Sequence, residues 1–421
     1  MKKPLHKHIG MGMKKASARL TKYLIERDTL FATLWVFIFI IILGKIPLHL
    51  GALNPVKLSL KDFDFNDLYY SKVGNKQNDS VEKNITIINI GNADRQGIAM
   101  YLQKAASMGP KVIGLDVLFD GPRDSAKDDA LRQVIRQTPN LVLAVKYGAD
   151  SAGRLITGRT YFLKDAQLTG FVNFPYDEGW ESIRTYIPMK GDEHDHSLVV
   201  PAFTSSILKA YDSTAYERIS HKIDKEVTIN YTRTLTDKKK QYLVVEADDL
   251  MMDRVDSAQL KNKIVLLAYV SDNPNDIEDK KFTPMNEKWY GKGVPDMNGI
   301  IVHANILSMV LENNFIKKVP SWGNWIIAIF ICWLHMSFFI HYYLESHIWF
   351  HLAAKIAQVA SAILFVWVGI EIFNRFHLKV DMKLSLVTII MAVDVIYFYE
   401  AWATWMHKKY NYHTVFKPHH H

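Results

Sequence analysis

The chain has 421 residues, 49% of them hydrophobic and 22% charged, with a formal net charge of +8 and a mean hydropathy of −0.04. Charged residues mixed through the middle, with aromatics at 12%, exclude both a disordered chain and a transporter built wholly in lipid. The single cysteine, Cys332, sits in an apolar block without a partner in the chain, which excludes a disulfide scaffold.

The near-zero hydropathy averages apolar blocks near the ends with a middle of soluble composition. Residues 1–28 carry Lys2, Lys3, Lys14, Lys15, Arg19, Lys22 and Arg27 against Glu26 and Asp28, the bias of a cytoplasmic flank. A first membrane helix is predicted over residues 29–50, where the apolar run Thr29 to Leu43 is extended if Lys45 snorkels. That supplies the ~20 residues needed to cross ~30 Å of hydrocarbon. A secretory signal peptide is the competing reading, but the basic region is long and no small-x-small cleavage site follows.

Residues 51–321 read as a soluble domain. Ile85 to Ile90, Lys111 to Val117 and Leu141 to Tyr147 are apolar strand-like runs, separated by helical patterns over Gly97 to Met108 and Ala126 to Gln137. This β-α-β-α-β rhythm predicts a mainly parallel sheet flanked by helices. Further strands are expected at Gly170 to Phe174, Thr185 to Met189, Val227 to Tyr231, Tyr242 to Ala247 and Lys263 to Val270. Helices are expected near Leu198 to Tyr211 and Ile300 to Asn313.

Three more spans are predicted over residues 322–344, 351–373 and 386–405, followed by a tail over 406–421. Trp322 and Trp325 at one end, and Trp349, Trp402 and Trp405 at the other, fit interfacial aromatic belts. Four crossings place the large domain outside and both termini in the cytoplasm. Against this, the predicted outer loop holds Arg375, Lys379 and Lys383, whereas the inner loop at Glu345 to Trp349 has no Lys or Arg. The first helix and a long translocated domain outweigh that loop bias. His419 to His421 read as a tag remnant and carry no function.

The segment Lys111 to Phe119 (KVIGLDVLF) resembles the most recognisable stretch of the second type of CHASE domain, a bacterial extracytoplasmic sensory module. Collinear matches follow: Arg95 before a helix, Gly109-Pro110, Gly170-Phe171-Val172-Asn173 with Asp177, Gly179 and Arg184, and the strand in Leu260 to Val270. Asp279, Thr283-Pro284 and Gly299 to Leu311 resemble the family's carboxyl-terminal motif, after which Pro320, Trp322 and three apolar blocks continue as the family does. The departures are a shortened Gly91 to Arg95 stretch and Ala268-Tyr269 in place of a glycine. The resemblance implies a non-enzymatic sensor. Family members continue after the third helix into a kinase, cyclase or other output domain, so the short tail implies a separate signalling partner.

Asp116 ends an apolar strand, where open α/β sheets bind ligands. With Asp279 and His303 it is a candidate ligand or cation site; the alternative is an aspartate capping its own loop. Arg184 is either an anion contact or half of a core ion pair. Asp192-Glu193-His194-Asp195-His196 has metal-ligand residue types, but such acidic clusters are commonly solvated loops, and no metal or cofactor is assigned. In the membrane, His335, Lys355 and Glu400 each come ~6–10 Å from the cytoplasmic boundary at ~1.5 Å per residue, and Lys355 with Glu400 is the expected pair. Asp394 lies ~12 Å from the outer boundary without an obvious basic partner. It is a candidate for helix assembly, with a proton or ion path as the alternative.

No phosphate loop, nucleophile elbow or HExxH motif is present in the sequence. The basic tails suit anionic lipid rather than nucleic acid. The expected protein is therefore an α/β extracytoplasmic domain with four membrane helices in a bacterial inner membrane. It would sense a small envelope ligand or protein and signal to a separate membrane or signalling protein. The alternative is a structural subunit of a secretion, motility or transport machine.

Overall fold

The computed structural model describes residues 23–45, 64–74, 79–150, 154–157, 160–175, 181–236, 239–273, 275–286, 294–345 and 350–416. The expectations for residues 1–22, 46–63, 346–349, Asp177, Gly179 and His419 to His421 lie outside the described residues. In chain order the main elements are α1 (Arg27–Lys45), β1 (Ile85–Asn89), α2 (Arg95–Ser107), β2 (Val112–Leu115), α3 (Ser125–Gln137), β3 (Leu141–Val145) and β4 (Leu168–Phe171). There follow α4 (Phe203–Tyr211), α5 (Ser213–Ser220), β5 (Leu243–Glu246), α6 (Ala247–Met251), β6 (Ile264–Ala268), α7 (Gly299–Leu311), α8 (Ser321–Glu345), α9 (Phe350–Phe376) and α10 (Lys383–Tyr410). The chain forms two compact units, Asp62–Ile316 and Met1–Lys61 with Lys317–His421.

The first unit is built on a six-stranded sheet in the order β5-β1-β6-β2-β3-β4, every neighbouring pair parallel. The strand sequences explain this. ITIIN, VIGL, LVLAV and IVLLA are nearly continuous apolar runs, buried along almost their whole length, as strands covered on both faces must be. Ile98 and Leu102 of α2 and Leu131 and Ile135 of α3 pack with Ile88, Ile113, Leu115, Leu143, Val265 and Leu267 in one core. On the sheet at Gly114 and Gly170, α4 approaches closely. A Cβ on Gly114 would lie 2.8 Å from both Ile207 and Phe203, and one on Gly170 would lie 2.5 Å from Phe203 Cα.

The helix starts carry their own stop signals for the preceding loop. Asp94 caps α2 by accepting from Gly97 N (2.9 Å), Asp124 caps α3 through Lys127 N (3.1 Å), and Asp212 caps α5 through Ala215 N (3.1 Å). Two expectations shift. The strand expected over Thr185 to Met189 splits into Thr185–Tyr186 and Met189–Gly191, because Pro188 between them has no N–H for a ladder. The helix expected from Leu198 begins at Phe203, since Val199–Pro201 first pairs with Met189–Gly191.

The second unit contains four helices long and apolar enough to cross a membrane: α1, α8, α9 and α10. Their 19, 25, 27 and 28 residues correspond to lengths of ~28 to ~42 Å. Small residues let their backbones approach: Ala32 of α1, Ala328 and Cys332 of α8, and Ala392 of α10 are fully buried in one cluster with Val36, Met336, Ile396 and Tyr399. Lys317–Lys318 runs beside Leu378–Lys379, so the start of α8 and the α9–α10 connection lie at the same end of this unit.

Candidate functional site

The carboxyl ends of the parallel strands form one edge, and Asn89 organises part of it. Its amide nitrogen donates to Glu246 (3.0 Å) at the end of β5, and its oxygen accepts from Gly91 N (3.1 Å) and Val270 N (3.0 Å). Asp116 follows β2 on the same edge, half-buried, its N–H donating to the Leu267 carbonyl at 2.9 Å. The loop beyond it is held by Arg95, the first residue of α2. That buried guanidinium meets Asp128 at 2.5 Å and donates to the Gly121 carbonyl. It also lies 5.3–5.5 Å from the ring centres of Phe119, Tyr161 and Phe162. Asp128 accepts in addition from Arg123 N (2.9 Å). Arg95 was legible as a family position; its partner Asp128, on another helix, was not.

A second constellation gathers around the start of α7. Lys280–Lys281 pairs antiparallel with Met297–Asn298, which brings the Asp279 and Thr283 segment against the helix. Asp279 adopts a left-handed φ of 53°, its carbonyl accepts from Gly299 N (2.9 Å), and a Cβ on Gly299 would come 3.1 Å from its carboxylate. A glycine is therefore the residue that lets Asp279 close over the helix end. Thr283 donates to Asp296 through its N–H (2.8 Å) and its hydroxyl (2.5 Å). Burial dominates these hydrogen bonds and pushes the Asp296 carboxyl up to about 7.

His303 lies one turn into α7, only 5% exposed. Its ring stacks on Phe174 (4.8 Å between centres) and meets the edge of Phe203 (5.5 Å). Among the described residues, its buried Nδ1 meets no hydrogen-bond partner. Burial first, and then the positive charge of Lys281, push its pKa down to about 3, so the ring is neutral near pH 7. Asp279 thus meets the start of α7, and His303 lies one turn into it, while Asp116 stands on the sheet edge beside β6.

Arg184 is engaged in an ion pair with Asp67: Nε lies 3.1 and 3.2 Å from the two carboxylate oxygens and Nη2 2.5 Å from Oδ2. The acidic loop is a turn organised by Asp192, whose carboxylate accepts from Leu155 N, Asp195 N and His194 N. Those backbone donors, Leu155 first, hold it below the usual carboxylate range. Among the described residues no group of three or more His, Cys, Asp or Glu side chains is placed to hold a metal. Sequence reasoning missed a buried cluster in which Arg233 meets Glu82 (3.3 Å) and Glu312 (2.5 Å), with Ser308 donating to Glu82 (2.8 Å).

In the membrane helices the expected Lys355–Glu400 pair is not formed. Antiparallel packing sets His351 against Tyr397 (3.1 Å), Lys355 against Asp394 (3.5 Å) and Gln358 against the Ile389 and Ile390 carbonyls (3.0 and 2.7 Å). Asp394 therefore does have a basic partner within the chain. Glu400 falls beyond this register and accepts instead from the Tyr343 hydroxyl (2.6 Å). Depths counted from the edges of apolar blocks misplace these residues because α10 extends past its block at both ends. His335 joins neither acid: Nδ1 donates to the Ile331 carbonyl (2.8 Å) and Nε2 lies 2.8 Å from Ser361 Oγ.

No curated protein and no solved structure matches the chain. The CHASE2 domain family matches residues 51–338, a span that takes in the α/β unit and runs into α8. With its parallel-sheet domain between one amino-terminal and three carboxyl-terminal membrane-length helices, the chain belongs to the CHASE2 domain family.

Proposed function

We propose that this multi-pass membrane protein is a non-enzymatic sensor of a bacterial inner membrane. Its extracytoplasmic α/β domain would bind a small envelope ligand or protein, and its helices would signal to a separate partner, with both termini in the cytoplasm. The observation that supports this reading is the family match, which runs without a break from the sensory domain into the second membrane helix. Only residues 312–320 separate α7 from α8 in the chain. A ligand that favours one setting of α7 therefore acts on the element that leads into the membrane, and it shifts the population of helix arrangements by its differential affinity.

The candidate contacts are His303 on α7 and Asp279 against the start of that helix, with Asp116 after β2 as a further polar position. His303 Nδ1 supports this choice, since a buried ring nitrogen that meets no partner among the described residues gains a hydrogen bond when a ligand or a rearrangement supplies one. Arg184 is a weaker candidate, because Asp67 already occupies its guanidinium.

The test uses the full chain in nanodiscs. Periplasmic extract fractions are screened by thermal shift and mass spectrometry, and co-purifying proteins are identified from mild detergent. The expected result is a bound component whose effect is lost in His303→Phe, together with a co-purifying protein that bears a signalling domain. If no extract component binds, and deleting residues 64–316 leaves the partner's output unchanged, the protein is not a sensor.

A further inference from the structure

The outward face of the α9–α10 pair carries two opposite charges among apolar side chains. Lys355 Nζ lies 3.5 Å from Asp394 Oδ1, yet the two side chains remain 57% and 54% exposed. Among the described residues, neither group makes another hydrogen bond. On α10 the flanking exposed positions are Val387, Ile390 and Phe398, and on α9 they are Ile356 and Val359. At ~1.5 Å per residue, Asp394 is ~16 Å along α10 from Lys383 and ~24 Å from Tyr410, whereas Lys355 is ~8 Å along α9 from Phe350 and reaches inward to the acid. Hydrocarbon offers these groups no hydrogen bonds, and ionisable residues within spans face a bundle interior, a hydrated cavity or a partner. A half-exposed pair on the outer face is an unfinished contact.

We propose that a second copy of this chain covers this face, each Lys355 meeting Asp394 of the partner subunit about a two-fold axis along the membrane normal. Three observations favour a second copy over a different protein. The patch holds one cation and one anion, so it is complementary to itself, and an isologous contact satisfies both signs at once. Two copies inserted in the same orientation bring equal depths together, and Lys355 and Asp394 share a depth because they already touch. Finally, α9 is the least covered of the four membrane helices, with 17% of its span buried against 33%, 33% and 44% for α1, α8 and α10. This inference does not depend on any ligand, and it stands or falls separately from the sensing proposal.

The experiment co-expresses two differently tagged full-length chains and measures their co-purification in nanodiscs. Wild-type chains are expected to capture one another. Lys355→Asp and Asp394→Lys chains should each fail to self-associate, because like charges then face across the axis, but should capture one another. The double exchange Lys355→Asp with Asp394→Lys keeps the pair within each chain. It should self-associate at wild-type yield while capturing wild-type chain about tenfold less or lower. That last variant separates lost recognition from lost folding. Three results would overturn the proposal: wild-type chains that do not capture one another, single variants that self-associate like wild type, or free mixing of wild type with the double exchange. Photo-cross-linking from Ile356 that yields only a different protein would also overturn it.

Discussion

The hydroxyl of Tyr399, on α10, donates to Asp28 at 2.6 Å on the first turn of α1. The Asp28 carboxylate is 1% exposed and also accepts from Thr414 Oγ1 (3.0 Å) and Val415 N (2.6 Å). Arg27 adds a hydrogen bond to the His413 carbonyl and lies 4.3 Å over the Tyr412 ring. Phe416 is buried against Tyr343 and Tyr399. The segment after α10 is thus latched to the beginning of α1 by one buried acid. Any change in the setting of α1 is felt at the segment that follows α10.

Asp28→Asn is expected to release that latch. It removes the charge that strengthens each hydrogen bond and turns an amide donor toward the Val415 N–H. Charge-assisted hydrogen bonds contribute about 1.5–3 kcal/mol, so backbone exchange over residues 411–416 should accelerate at least about tenfold. Hydrogen-exchange mass spectrometry in nanodiscs measures this directly. Unchanged protection of Val415 would show that aromatic packing alone holds the segment.

The buried Arg233 cluster predicts a large loss of stability. Arg233 and Glu82 are 7% and 4% exposed, and among the described residues Glu82 retains Ser308 and the Lys83 and Asn84 N–H groups when the arginine goes. Breaking a buried pair by removing one partner costs about 3–5 kcal/mol. Arg233→Met should therefore lower the unfolding midpoint of the α/β unit substantially. Arg233→Met with Glu82→Gln should lose less than the sum of the two single changes. Strict additivity in denaturant unfolding would show that the two groups do not act as a pair.

What the sequence made legible follows the physics of each element. β1, β2, β3 and β6 declare themselves as apolar runs because both faces of a parallel strand are buried. α5 and the hairpin formed by Tyr147–Ala149 and Leu155–Thr157 were not expected, being short and half-exposed. His303 and Asp279 could be chosen by residue type and motif position. That His303 is neutral, and meets no partner at Nδ1 among the described residues, follows only from the packing of Phe174 and Phe203 around it. Arg233 with Glu82 lies far apart in sequence and has no periodic signature. The Lys355 partner was misassigned because hydropathy gives the length of a helix and not its register against a neighbour.

His303 predicts acid sensitivity of the α/β domain. Its folded pKa is about 3, below the ordinary histidine value of ~6.5, so unfolding takes up a proton between the two. The neutral buried ring therefore contributes stability that is full above about pH 6.5 and is lost as pH falls toward 3. His303→Phe keeps the stack on Phe174 and removes the titration. The variant should gain on wild type as pH falls from about 6.5 to 4, by at most about 1.4 kcal/mol per pH unit. Thermal unfolding of the full chain across that range checks it, and a pH-independent difference would place the acid sensitivity elsewhere.

Asp296 predicts the opposite slope. Its folded pKa is raised to about 7 by burial, above the ~3.9 of an unfolded aspartate, so the folded domain holds a proton that the unfolded chain releases. That contribution is full below about pH 4 and is lost as pH rises through 7. Asp296→Asn removes the ionisation while leaving an oxygen to accept from Thr283. The variant should match wild type near pH 4 and exceed it near pH 8. Because Asp296 is partly exposed as a residue, solvent screening reduces the expected gain to about 1–2 kcal/mol. Double-mutant analysis with Thr283→Val locates the effect. If the hydroxyl that donates to Asp296 at 2.5 Å stabilises the carboxylate, Thr283→Val should steepen the alkaline loss in wild type and leave the Asp296→Asn profile flat. Equal alkaline loss in Asp296→Asn and wild type would mean that another group carries the titration.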